Sequence, residues 1–105
     1  MIGLSEKQII VLQDKFASNE KIETAILYGS RAKGNHQKGS DIDIVLKGER
    51  LEHKDLLDMG EILNDALFPY KIDLSLYHHI KNDNLLGHIK RVGEVIYKKQ
   101  KNYQN

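Results

Sequence analysis

Hydrophobic residues follow two different spacings along the chain and so predict both helices and strands. Apolar positions three and four residues apart predict helices over Glu6–Ala17, over His53–Leu67, and from Asn82 or Asn84 to about Val92. Short apolar runs predict four strands, at Ile22–Tyr28, Asp41–Leu46, Lys71–Tyr77 and Glu94–Lys99. The order helix, strand, strand, helix, strand, helix, strand is typical of a small mixed α/β (α+β) domain in which helices pack on one sheet.

Residues at the ends of these segments support the same boundaries. Ser5 and Gln8 have the spacing of a capping box, which predicts the start of the first helix. Pro69, the only proline, is expected to end the second helix, and Gly93 suits the end of the third. Lysines around the last strand are typical of a strand at the edge of a sheet.

Length and composition place the chain among ordinary globular domains. Its 105 residues are expected to form one domain, with 40% hydrophobic and 30% charged residues. The chain has no cysteine, which excludes disulfides and thiolate metal sites. The first eight residues do not resemble a secretory signal, and no apolar run approaches the roughly 20 residues of a membrane span. We therefore expect a cytoplasmic protein that does not enter the membrane.

Charge is nearly balanced overall but uneven locally. The formal net charge of +1 gives no argument for nucleic-acid binding. The C-terminal part is basic, and its cations are Lys90, Arg91, Lys98, Lys99 and Lys101. The simpler interpretation is that these cations form an ordinary solvated surface. The alternative is a functional surface that attracts phosphate or an acidic partner.

Three aspartates lie within apolar strand-like runs, where carboxylates are costly unless a cation meets them. Asp41 and Asp43 are two residues apart in one predicted strand, so their side chains point the same way, roughly 6.5 Å apart along it. Such a pair can bind one or two hard cations, Mg²⁺ or Mn²⁺. Asp73 supplies a third carboxylate if its strand lies beside theirs, either as a ligand or as a proton acceptor. The alternative is that these acids cap turns or face solvent.

A Gly-Ser pair follows the first predicted strand and suggests a phosphate site. Gly29 allows close backbone approach, and the Ser30 hydroxyl can donate to a phosphate oxygen. Arg31 and Lys33 can neutralise phosphate charge, and a helical turn starting at Arg31 would aim N–H groups at an anion. Alone, the pair is better explained as an ordinary turn. The two strand-end tyrosines, Tyr28 and Tyr77, are interpreted as packing residues, and stacking on the nucleotide base is the alternative that stays open. No histidine has zinc-site spacing.

Together, the Gly-Ser pair at Gly29, the Asp-x-Asp at Asp41 and the later strand aspartate Asp73 resemble the DNA polymerase beta nucleotidyltransferase superfamily. The flanking residues look most like its minimal nucleotidyltransferase (MNT) family. The resemblance covers nearly the whole chain, because the order of elements also fits, and every motif position matches.

This resemblance implies a reaction and a set of roles. The reaction is Mg²⁺-dependent (or Mn²⁺-dependent) transfer of a nucleoside monophosphate, AMP from ATP above all, to a hydroxyl, with release of pyrophosphate. By carry-over, Gly29 and Ser30 hold the triphosphate, and Asp41 and Asp43 bind metal. Asp73 joins the metal site or acts as base.

The resemblance also implies a partner. Minimal members often pair with a helical HEPN protein encoded nearby, in what look like toxin–antitoxin systems, and can attach AMP to a tyrosine of the toxin. The sequence leaves two alternatives open. One is an antitoxin that neutralises its partner by stoichiometric contact without turnover. The other is modification of a small molecule or an RNA end, and a homo-oligomer is compatible with each.

Overall fold

The structure is a computed structural model that describes residues 4–29 and 42–100. Its three helices are α1 (Glu6–Ala17), α2 (His53–Ala66) and α3 (Asp83–Val92). Its four strands are β1 (Thr24–Tyr28), β2 (Ile42–Lys47), β3 (Ile72–Leu76) and β4 (Glu94–Lys98), and a short 3₁₀ turn covers Tyr77–His79. No helix within these two ranges is both long and apolar enough to cross a membrane.

The four strands form one sheet in the order β3-β2-β1-β4. β1 pairs with β2 and with β4 in antiparallel fashion, whereas β2 and β3 are parallel. Parallel neighbours need a long crossover, and α2 provides it. The expected small mixed α/β fold is therefore confirmed, and so is the edge position of β4.

Helix boundaries agree closely with the predicted ones. α1 has its predicted limits, and both bonds of the capping box between Ser5 and Gln8 are present. Asn82 caps α3 with its side chain, and Gly93 follows the last helical residue. α2 ends one residue earlier than predicted, with Leu67 as its cap.

Strand boundaries agree less well, because local turns compete with strand pairing. β1 starts at Thr24 rather than Ile22, whose N–H donates to the Asn19 carbonyl in a turn. β3 stops at Leu76 because the next residues form the 3₁₀ turn. β2 extends to Lys47, and β4 ends at Lys98.

The sheet separates a large core from a small one. α1 and α2 cover one face, where the core includes Phe16, Leu27, Ile44 and Leu63, all fully buried. α3 covers part of the other face through a smaller cluster of Ile26, Val45 and Ile89. We call this second face the α3 face.

Strand alternation assigns each β2 side chain to one of these faces. Ile42, Ile44 and Leu46 enter the large core. Val45 packs in the small cluster on the α3 face, and Asp43, two residues away, points to that same face.

A side-chain amide ties α2 to the start of β3. The Asn64 side chain accepts from the Ile72 N–H at 2.9 Å and donates to the Gly60 carbonyl at 2.7 Å. Ile72 is buried and directly precedes Asp73. This contact therefore fixes the height at which β3 enters the sheet.

Replacing Asn64 by Ala is expected to destabilise the fold by about 1–3 kcal/mol, because the buried Ile72 N–H loses its acceptor. Urea unfolding followed by circular dichroism measures the change. The control is Asp65→Ala, an exposed neighbour on the same helix, expected within about 0.5 kcal/mol of the original chain. Equal midpoints for both variants would show that Asn64 does not hold β3.

Candidate active site

The parallel pairing of β2 and β3 places two of the predicted carboxylates side by side. Asp43 and Asp73 are direct partners in the register. Neighbouring strands lie about 4.8 Å apart and paired residues point to the same face, so both carboxylates occupy the α3 face. Asp43 is half-buried and Asp73 is exposed. The strand of Asp73 therefore lies beside that of Asp43, as the hypothesis of a shared carboxylate site requires. The roles of both residues as metal ligands stay predictions.

The predicted phosphate turn begins at the same edge of the sheet. Tyr28, the last residue of β1, is the register partner of Asp43, so Gly29 lies immediately beside the Asp43 side chain. Gly29 has a φ of +82°, which a residue with a side chain rarely adopts. A Cβ atom built there would also collide with the Asp43 carboxylate. Both the backbone conformation and the close approach therefore require glycine.

The other four predicted site residues lie outside the described residues. They are Ser30, Arg31, Lys33 and Asp41. The predicted helical turn at Arg31 falls in the same range. Their roles in phosphate and metal binding stay predictions.

The structure adds two hydroxyls that the sequence interpretation did not assign to the site. The Tyr28 hydroxyl oxygen lies 3.4 Å from the Ser75 hydroxyl oxygen, across β2. Ser75 lies two residues after Asp73 on β3, so strand alternation alone would have placed it on the same face. Tyr28 also packs in the small cluster, as expected of a packing residue, with its ring edge-on to His88 of α3 at 6.5 Å.

The carboxylates affect the ionisation of this tyrosine. Burial raises the pKa of Tyr28 above its usual value, and the negative charges of Asp43 and Asp73 raise it further, while the contact with Ser75 opposes the rise. Tyr28 therefore stays a neutral hydroxyl near pH 7. It can donate a hydrogen bond on the face where the carboxylates lie.

These donors fit a hard divalent cation. Two adjacent carboxylates repel each other unless a cation lies between or beside them, and Mg²⁺ and Mn²⁺ prefer carboxylate oxygen. Gly29 has no side chain to displace the Asp43 carboxylate, so the predicted phosphate turn begins directly beside it. Within residues 4–29 and 42–100, no three His, Cys, Asp or Glu side chains group closely enough to hold a metal. The described pair supplies two of the three predicted carboxylates, and the third, Asp41, lies outside those ranges.

Replacing Gly29 by Ala is expected to strain the positive φ and displace the Asp43 carboxylate, with a loss of at least about 1 kcal/mol of stability. The variant should also bind Mn²⁺ more weakly in a calorimetric titration. The control is Gly60→Ala in α2, where a new Cβ meets only Leu74 at 4.0 Å and helix propensity favours alanine. Unchanged stability and Mn²⁺ affinity in the Gly29 variant would leave the glycine as a turn residue without a role in the site.

Solved structures with a similar fold include several toxin–antitoxin complexes. A chain of a toxin–antitoxin crystal structure with AMP-PNP is 23% identical and has a TM-score of 0.72, over 92% of this chain and 76% of that one. A chain of the toxin–antitoxin MntA-HepT is 16% identical with a TM-score of 0.70, over 90% and 74%.

A third similar chain comes from the structure of a complex, described as a tri-AMPylated Shewanella oneidensis HEPN toxin in complex with an MNT antitoxin. It is 22% identical and has a TM-score of 0.63, over 94% of this chain and 74% of that one. At these identities the likeness shows a shared fold. A search of curated protein sequences finds no significant match.

The sequence itself matches a family model. The model describes the polymerase beta nucleotidyltransferase domain and matches residues 11–102, nearly the whole chain. The match includes Gly29, which follows β1, and the strands β2 and β3, which carry the two described carboxylates. The chain therefore belongs to the polymerase beta nucleotidyltransferase family.

Proposed function

We propose that this chain is a divalent-metal-dependent nucleotidyltransferase that moves AMP from ATP to a tyrosine hydroxyl of a HEPN-type partner and thereby acts as an antitoxin. The observation that carries the proposal is the pairing of Asp43 with Asp73 directly beside Gly29. A binder without turnover has no use for two adjacent carboxylates on a half-covered face. The structural likeness to toxin–antitoxin chains, one of them in a complex with an AMPylated toxin, supports the partner class.

Each site residue has a defined task in this reaction. Asp41 and Asp43 would hold Mg²⁺, which when bound supplies positive charge against the triphosphate, and Asp73 would either join these ligands or act as the base. Gly29 lets the backbone approach a phosphate, and Ser30 donates a hydrogen bond to it. Arg31 and Lys33 balance further phosphate charge.

The transfer itself is a displacement at phosphorus. The acceptor oxygen forms a bond to the α-phosphorus, and the bond from that phosphorus to the bridging oxygen breaks, so pyrophosphate leaves. The acceptor loses its proton to a base. Asp73 is the candidate base because its carboxylate is exposed on the α3 face, where an acceptor can reach it.

Replacing Asp43 by Asn is expected to abolish transfer without unfolding the protein. The change removes one of two neighbouring like charges and keeps the size of the side chain. Mn²⁺ should raise the melting temperature of the original chain and fail to raise that of the variant, because a charged ligand is gone. Thermal melts with and without Mn²⁺ measure this separately from activity.

The transfer experiment uses co-expression with the protein encoded beside this chain's gene, followed by intact-mass measurement of that protein. Addition of one or more AMP groups, absent with Asp43→Asn and present with Asp65→Asn on the far face, supports the enzyme. A stable complex without any mass change under ATP and Mg²⁺ would instead establish the stoichiometric binder. Repeating the reaction with the other three nucleoside triphosphates tests the preference for ATP.

Replacing Ser30 by Ala is expected to weaken Mg-ATP binding or slow transfer by roughly tenfold or more, because a donor to phosphate charge is lost. Calorimetry and single-turnover transfer separate the two effects. Ser18→Ala is the control, since the Ser18 hydroxyl donates to the Lys15 carbonyl at the end of α1, away from the carboxylate pair. If affinity and rate are both unchanged, Ser30 belongs to an ordinary turn.

A further inference from the structure

The edge strand β4 presents some of its side chains on the same face as the carboxylates. Val95 pairs with Ile26 and Lys98 pairs with Thr24, and both of these β1 residues share the face of Tyr28. Val95 and Lys98 are an odd number of residues apart, and a β-bulge opposite Ala25 and Ile26 accounts for this. Val95 and Lys98 therefore both lie on the α3 face.

The end of α3 adds two cations to this edge. Ile89 packs in the small cluster, which fixes α3 on the same face of the sheet. Lys90 and Arg91 follow in the last turn of the helix, are exposed, and precede the start of β4 by only a few residues. We call Lys90, Arg91, Val95 and Lys98 together the site-side edge.

Acidic side chains are kept off the site-side edge. Glu94, the one acid between residues 90 and 99, pairs with Leu27, whose side chain enters the large core. The Glu94 carboxylate therefore belongs to the opposite face. Among the described residues the ion pair is Lys21–Asp55, so no cation of the site-side edge is paired with a described carboxylate.

An apolar side chain lies within this basic edge. Val95 is 60% exposed, on a strand whose outer edge has no neighbour among the described strands. A surface that combines cations with an exposed apolar side chain fits an acidic protein segment with an apolar residue of its own. An RNA strand fits less well, since none of the four residues of the site-side edge is an aromatic on which a base can stack.

The position of the edge relative to the carboxylates suits an acceptor. β4 is two strands from β2, so Val95 lies roughly 10 Å across the sheet from the β2 backbone and on the face of Asp43. A protein bound there can extend past β1 to the carboxylate pair. Docking at this distance would hold a flexible acceptor hydroxyl near the reacting phosphate.

We propose that the acceptor protein docks on the site-side edge through an acidic segment that places an apolar side chain against Val95. This inference rests on the proposed function, which makes the docked protein the acceptor. Of the basic residues in the C-terminal part, Lys90, Arg91 and Lys98 would attract the acceptor, because they lie on the face that carries the site. Docking there also gives Val95, an exposed valine, a specific contact.

The test measures binding of the co-expressed neighbouring gene product to the purified chain by biolayer interferometry at low and high salt, without nucleotide. The combined change Lys90→Glu, Arg91→Glu and Lys98→Glu should weaken binding by about tenfold or more, mainly through a slower association rate that no longer falls with salt. Val95→Asp should weaken binding mainly through faster dissociation. Circular dichroism melts check that both variants fold.

The control carries the same change in net charge on the other side of the molecule. Lys7→Glu, Arg50→Glu and Lys54→Glu alter exposed cations of α1, of the loop before α2, and of α2. This variant should keep affinity within a few-fold. An equal loss of affinity in both triple variants, or no loss of affinity in either, would overturn the proposal. So would the absence of any binding by the original chain. Tighter binding of a short unstructured RNA than of the protein at this edge would also overturn it.

Failure of the docking proposal can be told apart from failure of the proposed function. A gene product that binds at the edge but gains no AMP contradicts the transfer reaction and leaves the docking site standing. AMP transfer at the original rate by the site-side triple variant contradicts the docking site and leaves the reaction standing.

Discussion

Two carboxylates held side by side are the constraint on which the rest of this structure depends. Asp43 and Asp73 are direct partners on neighbouring strands, and strand pairing alone disfavours like charges opposite one another. Their position has to be imposed by the surrounding fold, which does so through fully buried neighbours on the other face of the same strands. Ile42 and Ile44 flank Asp43 along β2, and each is completely buried in the large core. Moving Asp43 off its face would expose both isoleucines, because a one-residue slip reverses every side chain of a strand.

The crossover helix performs the same task for β3. β3 is an edge strand with few residues, and its pairing with β2 is parallel, so no tight turn fixes its register. α2 fixes it in two ways: Leu63 is buried in the large core, and Asn64 bonds directly to the backbone of Ile72. A helix on the opposite face thus sets the position of Asp73 along the sheet, because it holds the preceding residue, Ile72. One face of these strands therefore stabilises the fold, and the proposed chemistry uses the other face.

Strand alternation explains how much of the site could be predicted from sequence. The pattern Ile42-Asp43-Ile44 is sufficient to place Asp43 on the face opposite the core. It does not reveal that Asp73 is its direct partner, since register between parallel strands depends on the length and packing of α2. The positive φ of Gly29 could be suggested but not established from the sequence, because glycine is also common where no such conformation is needed. Ser75 could have been found by alternation from Asp73, but a serine in a strand is unremarkable until its neighbour Tyr28 is known.

The bulge in β4 shows a further limit of such predictions and also why it matters. A strand with one extra residue keeps the same apolar run, so the predicted strand is nearly correct while the side-chain assignment beyond the bulge is reversed. Ile96 and Tyr97, adjacent in sequence, both pack toward the large core, which regular alternation forbids. Because of this irregularity Lys98 shares a face with Val95 and with the carboxylates, whereas a regular strand would have turned it toward α1. One inserted residue in the edge strand therefore places the positive charge of Lys98 on the face where phosphate chemistry is proposed to take place.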